Sequence, residues 1–281
     1  MKNYLSFIKF SHTIFALPFA IIGFSMASVT YGFQIENLIY VVLCMIFARS
    51  SAMAFNRYID RDIDLKNPRT ANVREIPTGK ISSKSALIFV IISSVLFVTT
   101  TYFINTTCFW LSPVALLIIL GYSYTKRFTS LCHIVLGLGL GLAPIGAYLA
   151  VSEQFDIVPV LFGAAVLFWV AGFDIIYALQ DDEFDKKNNL NSIPVFMGRK
   201  KAMLVSKFFH FITILDLSLA GYLWQFDLFY WIGFVLFFIL LIFQHTLVKH
   251  DDLSKVNLAF FTTNGLASIL FSIFVLIDLF F

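Results

Sequence analysis

Long apolar runs of about 17 to 25 residues, separated by short charged clusters, constrain this chain more than any other feature. Each run is long enough to cross a bilayer as a helix. Only 13% of residues are charged and 59% are hydrophobic, whereas a soluble domain is nearer one-quarter charged. The pattern predicts an all-α polytopic membrane protein whose surroundings are the lipid bilayer.

Nine transmembrane helices are predicted, at about 12–32, 37–58, 85–104, 107–124, 131–150, 157–180, 203–223, 228–248 and 257–279. Their connections alternate in charge. Those around 33–36, 105–106, 151–156 and 224–227 hold no Lys or Arg, while those around 59–84, 125–130, 181–202 and 249–256 are basic. With the N-terminus cytoplasmic, all 20 Lys and Arg fall on the inner side or at its boundary, as the positive-inside rule requires. An eight- or ten-helix count breaks this alternation. The topology also explains the net charge of +3, which does not indicate a nucleic-acid partner. The apolar run after Lys2 and Lys9 lacks a clear cleavage site and is read as a retained first helix. Cys44, Cys108 and Cys132 are far apart and read as small packing residues.

Two acidic stretches close apolar runs on the predicted inner side. The first, N-R-Y-I-D-R-D-I-D, spans Asn56 to Asp64. On a continuing helix Asn56, Asp60 and Asp64 share one face. Three oxygen donors on one face suit a hard cation such as Mg²⁺. A solvated helix end, with Arg57 reaching Asp60 at i+3, explains the same spacing equally well. The second stretch, D-I-I-Y-A-L-Q-D-D-E-F-D, spans Asp174 to Asp185. Asp181 and Asp185 are four apart, and Asp174 and Tyr177 precede Asp181 on the same face. Asp174 lies about 10 Å deeper by helix rise, where a carboxylate is a functional candidate. The second and sixth predicted helices thus end alike, which suggests a weak internal repeat.

Basic groups accompany both stretches. Lys66, Arg69, Arg74 and Lys80 follow the first, Tyr122 and Lys126 close the fourth predicted helix beside Arg127, and Arg49 precedes Asn56 by two turns. Positive-inside topology accounts for many of them. Arg49 is different, because a guanidinium inside a spanning helix needs a partner. Carboxylates, Mg²⁺ and Lys or Arg together make an adaptor for a diphosphate. Gly137, Gly139 and Gly141 sit inside an apolar helix and read as close packing, not a phosphate loop. Asp216 is mid-membrane and has either a packing or a functional role. The five His show no metal spacing.

These residues resemble the UbiA superfamily of intramembrane aromatic prenyltransferases. The likeness is carried by N-x-x-x-D-x-x-x-D at Asn56–Asp64, by D-x-x-x-D at Asp181–Asp185, and by F-S-H-T-I-F-A-L-P-F-A at Phe10–Ala20. K-R-F-T at Lys126–Thr129 and S-I-P-V-F-M-G at Ser192–Gly198 extend it. Gly172–Asp185 is most similar to the 4-hydroxybenzoate polyprenyltransferase-like branch. Arg57 stands where many members carry a second acid.

The resemblance implies a single transmembrane prenyltransferase domain over 1–281, with its helices around a central cavity. It implies Mg²⁺-dependent transfer of a polyprenyl group from polyprenyl diphosphate to a hydroxylated aromatic acid, either 4-hydroxybenzoate or a dihydroxynaphthoate, in ubiquinone or menaquinone biosynthesis. Asn56, Asp60 and Asp64 would hold one Mg²⁺, and Asp181 and Asp185 the other. Arg69, Lys126, Arg74 and Tyr122 would bind phosphate. Tyr177 would stabilise the allylic cation, Asp174 would orient the acceptor, and Arg49 would pair with the acceptor's carboxylate or the diphosphate. The implied location is the bacterial inner membrane, with the active site facing the cytoplasm. Two alternatives are the same chemistry on haem or a glycerol phosphate lipid, and a secondary transporter using Asp174 and Asp216. Transporter sites usually lie near the midplane, whereas most acids here cluster at one interface. The D-G-x-x-A-R start of CDP-alcohol phosphotransferases is absent.

Overall fold

A computed structural model describes residues 2–8 and 15–281. The described elements are helical: α1 (Lys2–Phe7), α2 (Leu17–Tyr31), α3 (Ile35–Ile59), α4 (Arg61–Lys66), α5 (Ser83–Ile104) and α6 (Thr106–Thr125). They continue with α7 (Cys132–Ser152), α8 (Ile157–Ala178), α9 (Asp182–Lys187), α10 (Ile193–Trp224) and α11 (Leu228–Leu247). A π-helical turn (Leu258–Thr263) then leads into α12 (Asn264–Phe280). Eight described helices are long and apolar enough to cross a membrane, and Leu17–Tyr31, with 15 residues, is a shorter apolar helix. The expected count of nine rests on that shorter helix. Residues 11–14 of the Phe10–Ala20 stretch, and the start expected near 12, lie outside the described residues, as does Phe10.

Local chemistry sets the helix ends. Side chains of Ser82, Asn105, Asp156 and Ser192 each accept a hydrogen bond from an opening backbone amide of α5, α6, α8 and α10, which satisfies donors the helix itself cannot. The second predicted helix, 37–58, agrees with α3, but the helix does not run on unbroken to Asp64: α3 stops at Ile59, and Asp60, at φ −88° and ψ 5°, caps it and starts α4. Two expected boundaries are corrected. The sixth ends at Ala178, not 180, and Asp181 starts α9 in the same way. The seventh begins at Ile193, not 203, because a turn of helix precedes a kink at Gly198. Gly198 has φ +78°, a conformation that side chains disfavour.

Helix α8 is the most buried of the long helices and packs between α7 and α10. It is apolar on all sides, as a helix covered all round must be. Trp169, Phe162 and Phe173 of α8 pack with Phe19, Phe237 and Phe271 in one aromatic core. Small residues allow the close approach of α7 to α8. A Cβ on Gly137 would collide with the carbonyl oxygen of Leu167, and one on Gly141 would lie 2.5 Å from that of Gly163. Gly139 faces Ile119 of α6 instead. The glycines are packing residues, as their apolar setting implies. The π-helical turn frees carbonyls that side chains recapture: Gln244 Nε2 donates to Ala259 O at 3.0 Å, and Asn264 Nδ2 to Phe260 O at 2.9 Å.

Gly137→Leu therefore forces α7 and α8 apart and costs on the order of 1–3 kcal/mol or more. Thermal unfolding in detergent should show a clearly lowered midpoint, while Gly146→Ala, which has open space around it, should leave it near that of the parent chain.

Candidate active site

The two acidic helix ends face one cavity of about 630 Å³. Its wall includes Arg49, Asn56, Asp60, Asp64, Arg69, Arg74, Tyr122, Lys126, Asp174, Tyr177, Asp181 and Asp185. The twelve residues that the resemblance assigns to metal, phosphate, allylic cation or acceptor thus reach the same space, although their helices are separated by more than a hundred positions.

At the first end, the break at Asp60 keeps the four-residue rhythm. Asp60 N–H donates to Asn56 O at 2.9 Å and Asp64 N–H to Asp60 O at 2.7 Å. Asp60 is 2% exposed, and its carboxylate is held on three sides. Lys126 Nζ lies 2.6 Å from Oδ2, Arg127 Nη2 lies 3.0 Å from Oδ1, and Asn56 Nδ2 donates to Oδ2 at 3.1 Å. Arg57 does not form the i+3 pair with Asp60; no ion pair joins them among the described residues. Arg74 Nη1 instead reaches Asp64 Oδ2 at 3.0 Å.

The second end is gripped from the loop after α4. Arg69 Nε donates to Asp181 Oδ1 at 2.9 Å, and its Nη2 makes a very short bond to Oδ2. Such a two-pronged guanidinium–carboxylate pair fixes geometry as well as charge. Asn67 Nδ2 adds a bond to Asp181 Oδ1 at 3.1 Å. Arg69 Nη1 also donates to the Tyr177 hydroxyl at 2.9 Å, with the guanidinium carbon 5.2 Å from the ring centre. Phe260, presented by the π-helical turn, packs against the same ring at 4.3 Å.

Two guanidiniums in the wall make no direct side-chain ion pair among the described residues. Arg49 and Arg57 line the cavity, make no hydrogen bond or ion pair among the described residues, and bury an unsatisfied Nε. A buried, unpaired guanidinium is costly, so an anionic ligand entering here gains two ready partners. Arg49, Met53 and Tyr122 also line an adjoining apolar cavity of about 310 Å³, which runs between α3, α6 and α7 past Cys44, Met45 and Ile119. A polar chamber therefore shares part of its wall with an apolar one.

The oxygen donors Asn56, Asp60, Asp64, Asp181 and Asp185 are chemically suited to Mg²⁺. Among the described residues no three acidic, His or Cys side chains already converge as a metal cluster. Lys126, Arg127, Arg74 and Arg69 hold three of the four carboxylates. Some residues of the site were not singled out from the sequence. Asn67 and Phe260 line it, and His133 bonds Asp174 at 2.7 Å. Nothing in the spacing of a single His at the start of α7 signals that contact. Asp216 lies away from the site, and its buried Oδ2 has no hydrogen-bond partner among the described residues. His210 and His245, 2.9 Å apart, form a separate pair.

Comparison with known proteins agrees with this geometry. The sequence profile of the UbiA prenyltransferase family matches residues 16–266. A 4-hydroxybenzoate octaprenyltransferase from Francisella tularensis subsp. mediasiatica is 27% identical over 243 residues, covering 86% of this chain and 85% of the relative. An apo UbiA homologue from Aeropyrum pernix superposes with a TM-score of 0.85 at 30% identity, over 95% of this chain and 98% of that one. A UbiA homologue from Archaeoglobus fulgidus bound to DMAPP and Mg²⁺ shares the fold, with a TM-score of 0.75 at 22% identity over 99% of each chain.

Burial raises the Asp64 and Asp185 carboxyls from the ordinary value near 4 to about 6 each. The folded chain thus binds these protons more tightly than the unfolded one. Their contribution to stability is complete below about pH 4 and is lost as the pH rises through about 6. Asp185→Asn should therefore raise the melting temperature of chelator-treated protein at pH 7.5 and leave it unchanged at pH 4. Equal melting temperatures at pH 7.5 would contradict this.

Proposed function

The chain belongs to the UbiA prenyltransferase family, and we propose that it transfers a polyprenyl group from polyprenyl diphosphate to a hydroxylated aromatic acid in quinone biosynthesis. The proposed acceptors are 4-hydroxybenzoate and a dihydroxynaphthoate. The chain is an integral membrane enzyme of that family, and the reading places its single domain in the bacterial inner membrane with the cavity mouth on the cytoplasmic side. The basic connections support that orientation, because the acidic ends emerge beside them. One observation carries the proposal. A chamber holding carboxylates, guanidiniums and a lysine adjoins an apolar cavity across Arg49, Met53 and Tyr122, which line both. That is the shape and polarity of a diphosphate joined to a hydrocarbon tail.

In this reading Asn56, Asp60 and Asp64 hold one Mg²⁺ and Asp181 and Asp185 a second. The oxygen donor set fits that ion, and the unpaired guanidiniums fit the anion it would bring. Bound there, Mg²⁺ supplies Lewis-acid neutralisation of the leaving diphosphate. The chain's own cations do the rest of the binding. Arg69, Arg74 and Lys126 turn from carboxylates to phosphate oxygens, and Tyr122 lines the passage that the tail enters. Once Arg69 has turned, the face of Tyr177 is available to the allylic cation, which its π electrons stabilise. Asp174 lies deeper and orients the acceptor. Arg49, at the boundary of both cavities, pairs with the acceptor's carboxylate. Aromatic walls exclude water, which would otherwise capture the cation.

The test is a membrane assay with labelled prenyl diphosphate, Mg²⁺ and a panel of 4-hydroxybenzoate, dihydroxynaphthoate, haem and glycerol phosphate lipid acceptors. Prenylated aromatic acid is expected, with loss on chelation. Product only from haem or a lipid overturns the acceptor assignment, and no product from any acceptor overturns the reaction. Asp60→Ala and Asp181→Ala should each lower turnover by about 10²-fold or more, and full activity in either would refute the metal assignment. The apparent affinity for Mg²⁺ should rise with pH and level off above about 6, because Asp64 and Asp185 shed their protons there.

A further inference from the structure

Asp174 stands apart from the carboxylates that Lys and Arg hold. It lies on α8 one turn inward of Tyr177, four residues before the helix ends at Ala178. Its Oδ2 is 2.7 Å from His133 Nδ1, and among the described residues it has no other side-chain partner. The Asp174 side chain is 23% exposed, towards the cavity it lines, while that of His133 is 3% exposed.

The proton on His133 can be placed. Its Nε2 accepts from the backbone N–H of Ile193 at 3.4 Å. An amide nitrogen can only donate, so Nε2 carries the lone pair and Nδ1 carries the hydrogen. Ile193 opens α10, and the first amides of a helix have no acceptor within it. One such free amide sets the tautomer, and the imidazole passes the polarity on to Asp174. Three helices, α7, α8 and α10, meet in this chain of two hydrogen bonds. It fixes the orientation of the carboxylate through Oδ2 and leaves Oδ1 without a side-chain partner among the described residues.

We propose that His133 is a positioning residue that holds Asp174 as the base for the acceptor's hydroxyl group. The proposal rests on the prenyl-transfer reading above. Diphosphate leaves with the electron pair of its bond to the allylic carbon. As a ring carbon of the acceptor bonds to that carbon, the hydroxyl proton passes to Asp174, so no full positive charge builds on the ring. The ring C–H proton is then lost to water, its electron pair restores the aromatic ring, and Asp174 returns its proton to the phenolate oxygen. One proton is released overall, and the carboxylate is regenerated. General-base assistance of this type is worth about 10²–10⁴-fold.

The experiment compares Asp174→Asn, His133→Leu and His133→Asn with the wild-type chain. Asn at 133 keeps an N–H donor close to the position of Nδ1, whereas Leu removes it. For each variant, kcat and the acceptor KM are measured, together with Mg²⁺-supported binding of inorganic diphosphate and thermal unfolding in detergent. Asp174→Asn should lower kcat by about 10²-fold or more with diphosphate affinity unchanged. His133→Leu should lower kcat at least tenfold, and His133→Asn should recover most of that loss. Undiminished kcat in Asp174→Asn overturns the proposal. So does a His133→Asn variant as slow as His133→Leu when both fold and bind diphosphate. Loss of diphosphate binding in all three also overturns it, by showing a structural role. A wild-type chain that prenylates no hydroxylated ring refutes the underlying reading, and this proposal with it.

Discussion

The site depends on how the Asp60 carboxylate is held. It is nearly sealed from solvent and carries a charge that needs compensation where water is scarce. Lys126 and Arg127, just beyond α6, provide it, and so bind the C-terminal ends of α3 and α6 together. Arg69 does the same across a longer gap, from the loop after α4 to Asp181 beyond α8. These two clamps draw the helix ends into one wall. The charges that define the site are also the charges that assemble it.

This gives the chamber a definite logic. Its carboxylates are matched to internal cations, while Arg49 and Arg57 remain unmatched. Under the proposed function, a diphosphate with its metal ions would offer each group a new partner: the carboxylates would gain cations, Arg57 and Lys126 phosphate oxygens, and Arg49 the carboxylate of the acceptor. Binding would then be an exchange of ion pairs inside a preformed cavity. Little new burial of charge is needed, which is where most of the cost of such sites lies. The adjoining apolar cavity takes a tail with the ordinary gain from burying hydrocarbon.

Much of this was legible in the sequence. The apolar runs located the long helices, and the four-residue rhythm of Asn56, Asp60 and Asp64 survives in the structure. The twelve residues given site roles by the resemblance line one cavity, because charges buried in an apolar chain have few places to meet; Asp216, also noted in the sequence, lies elsewhere. What escaped the sequence depended on contact between distant elements. The break at Asp60 is a backbone event that leaves the i+4 spacing intact, so periodicity did not register it. Arg57 was matched to Asp60 by helix geometry, but Lys126 and Arg127 take that place from another helix. His133 is a lone His until α8 and α10 bring Asp174 and the Ile193 amide to its two nitrogens. The π-helical turn that presents Phe260 is held by Gln244 and Asn264, a long-range arrangement with no local signature.

The central claim is that the two acidic ends form one diphosphate clamp whose cations change partners. The most direct measurement is a structure with Mg²⁺ and a non-reactive prenyl thiodiphosphate. The account predicts the diphosphate between Asp60 and Asp181, metal ions on the carboxylates, Arg69 and Lys126 turned onto phosphate, and the tail running past Tyr122 into the apolar cavity. A diphosphate bound elsewhere, or one that leaves Lys126 on Asp60 and Arg69 on Asp181, would contradict it.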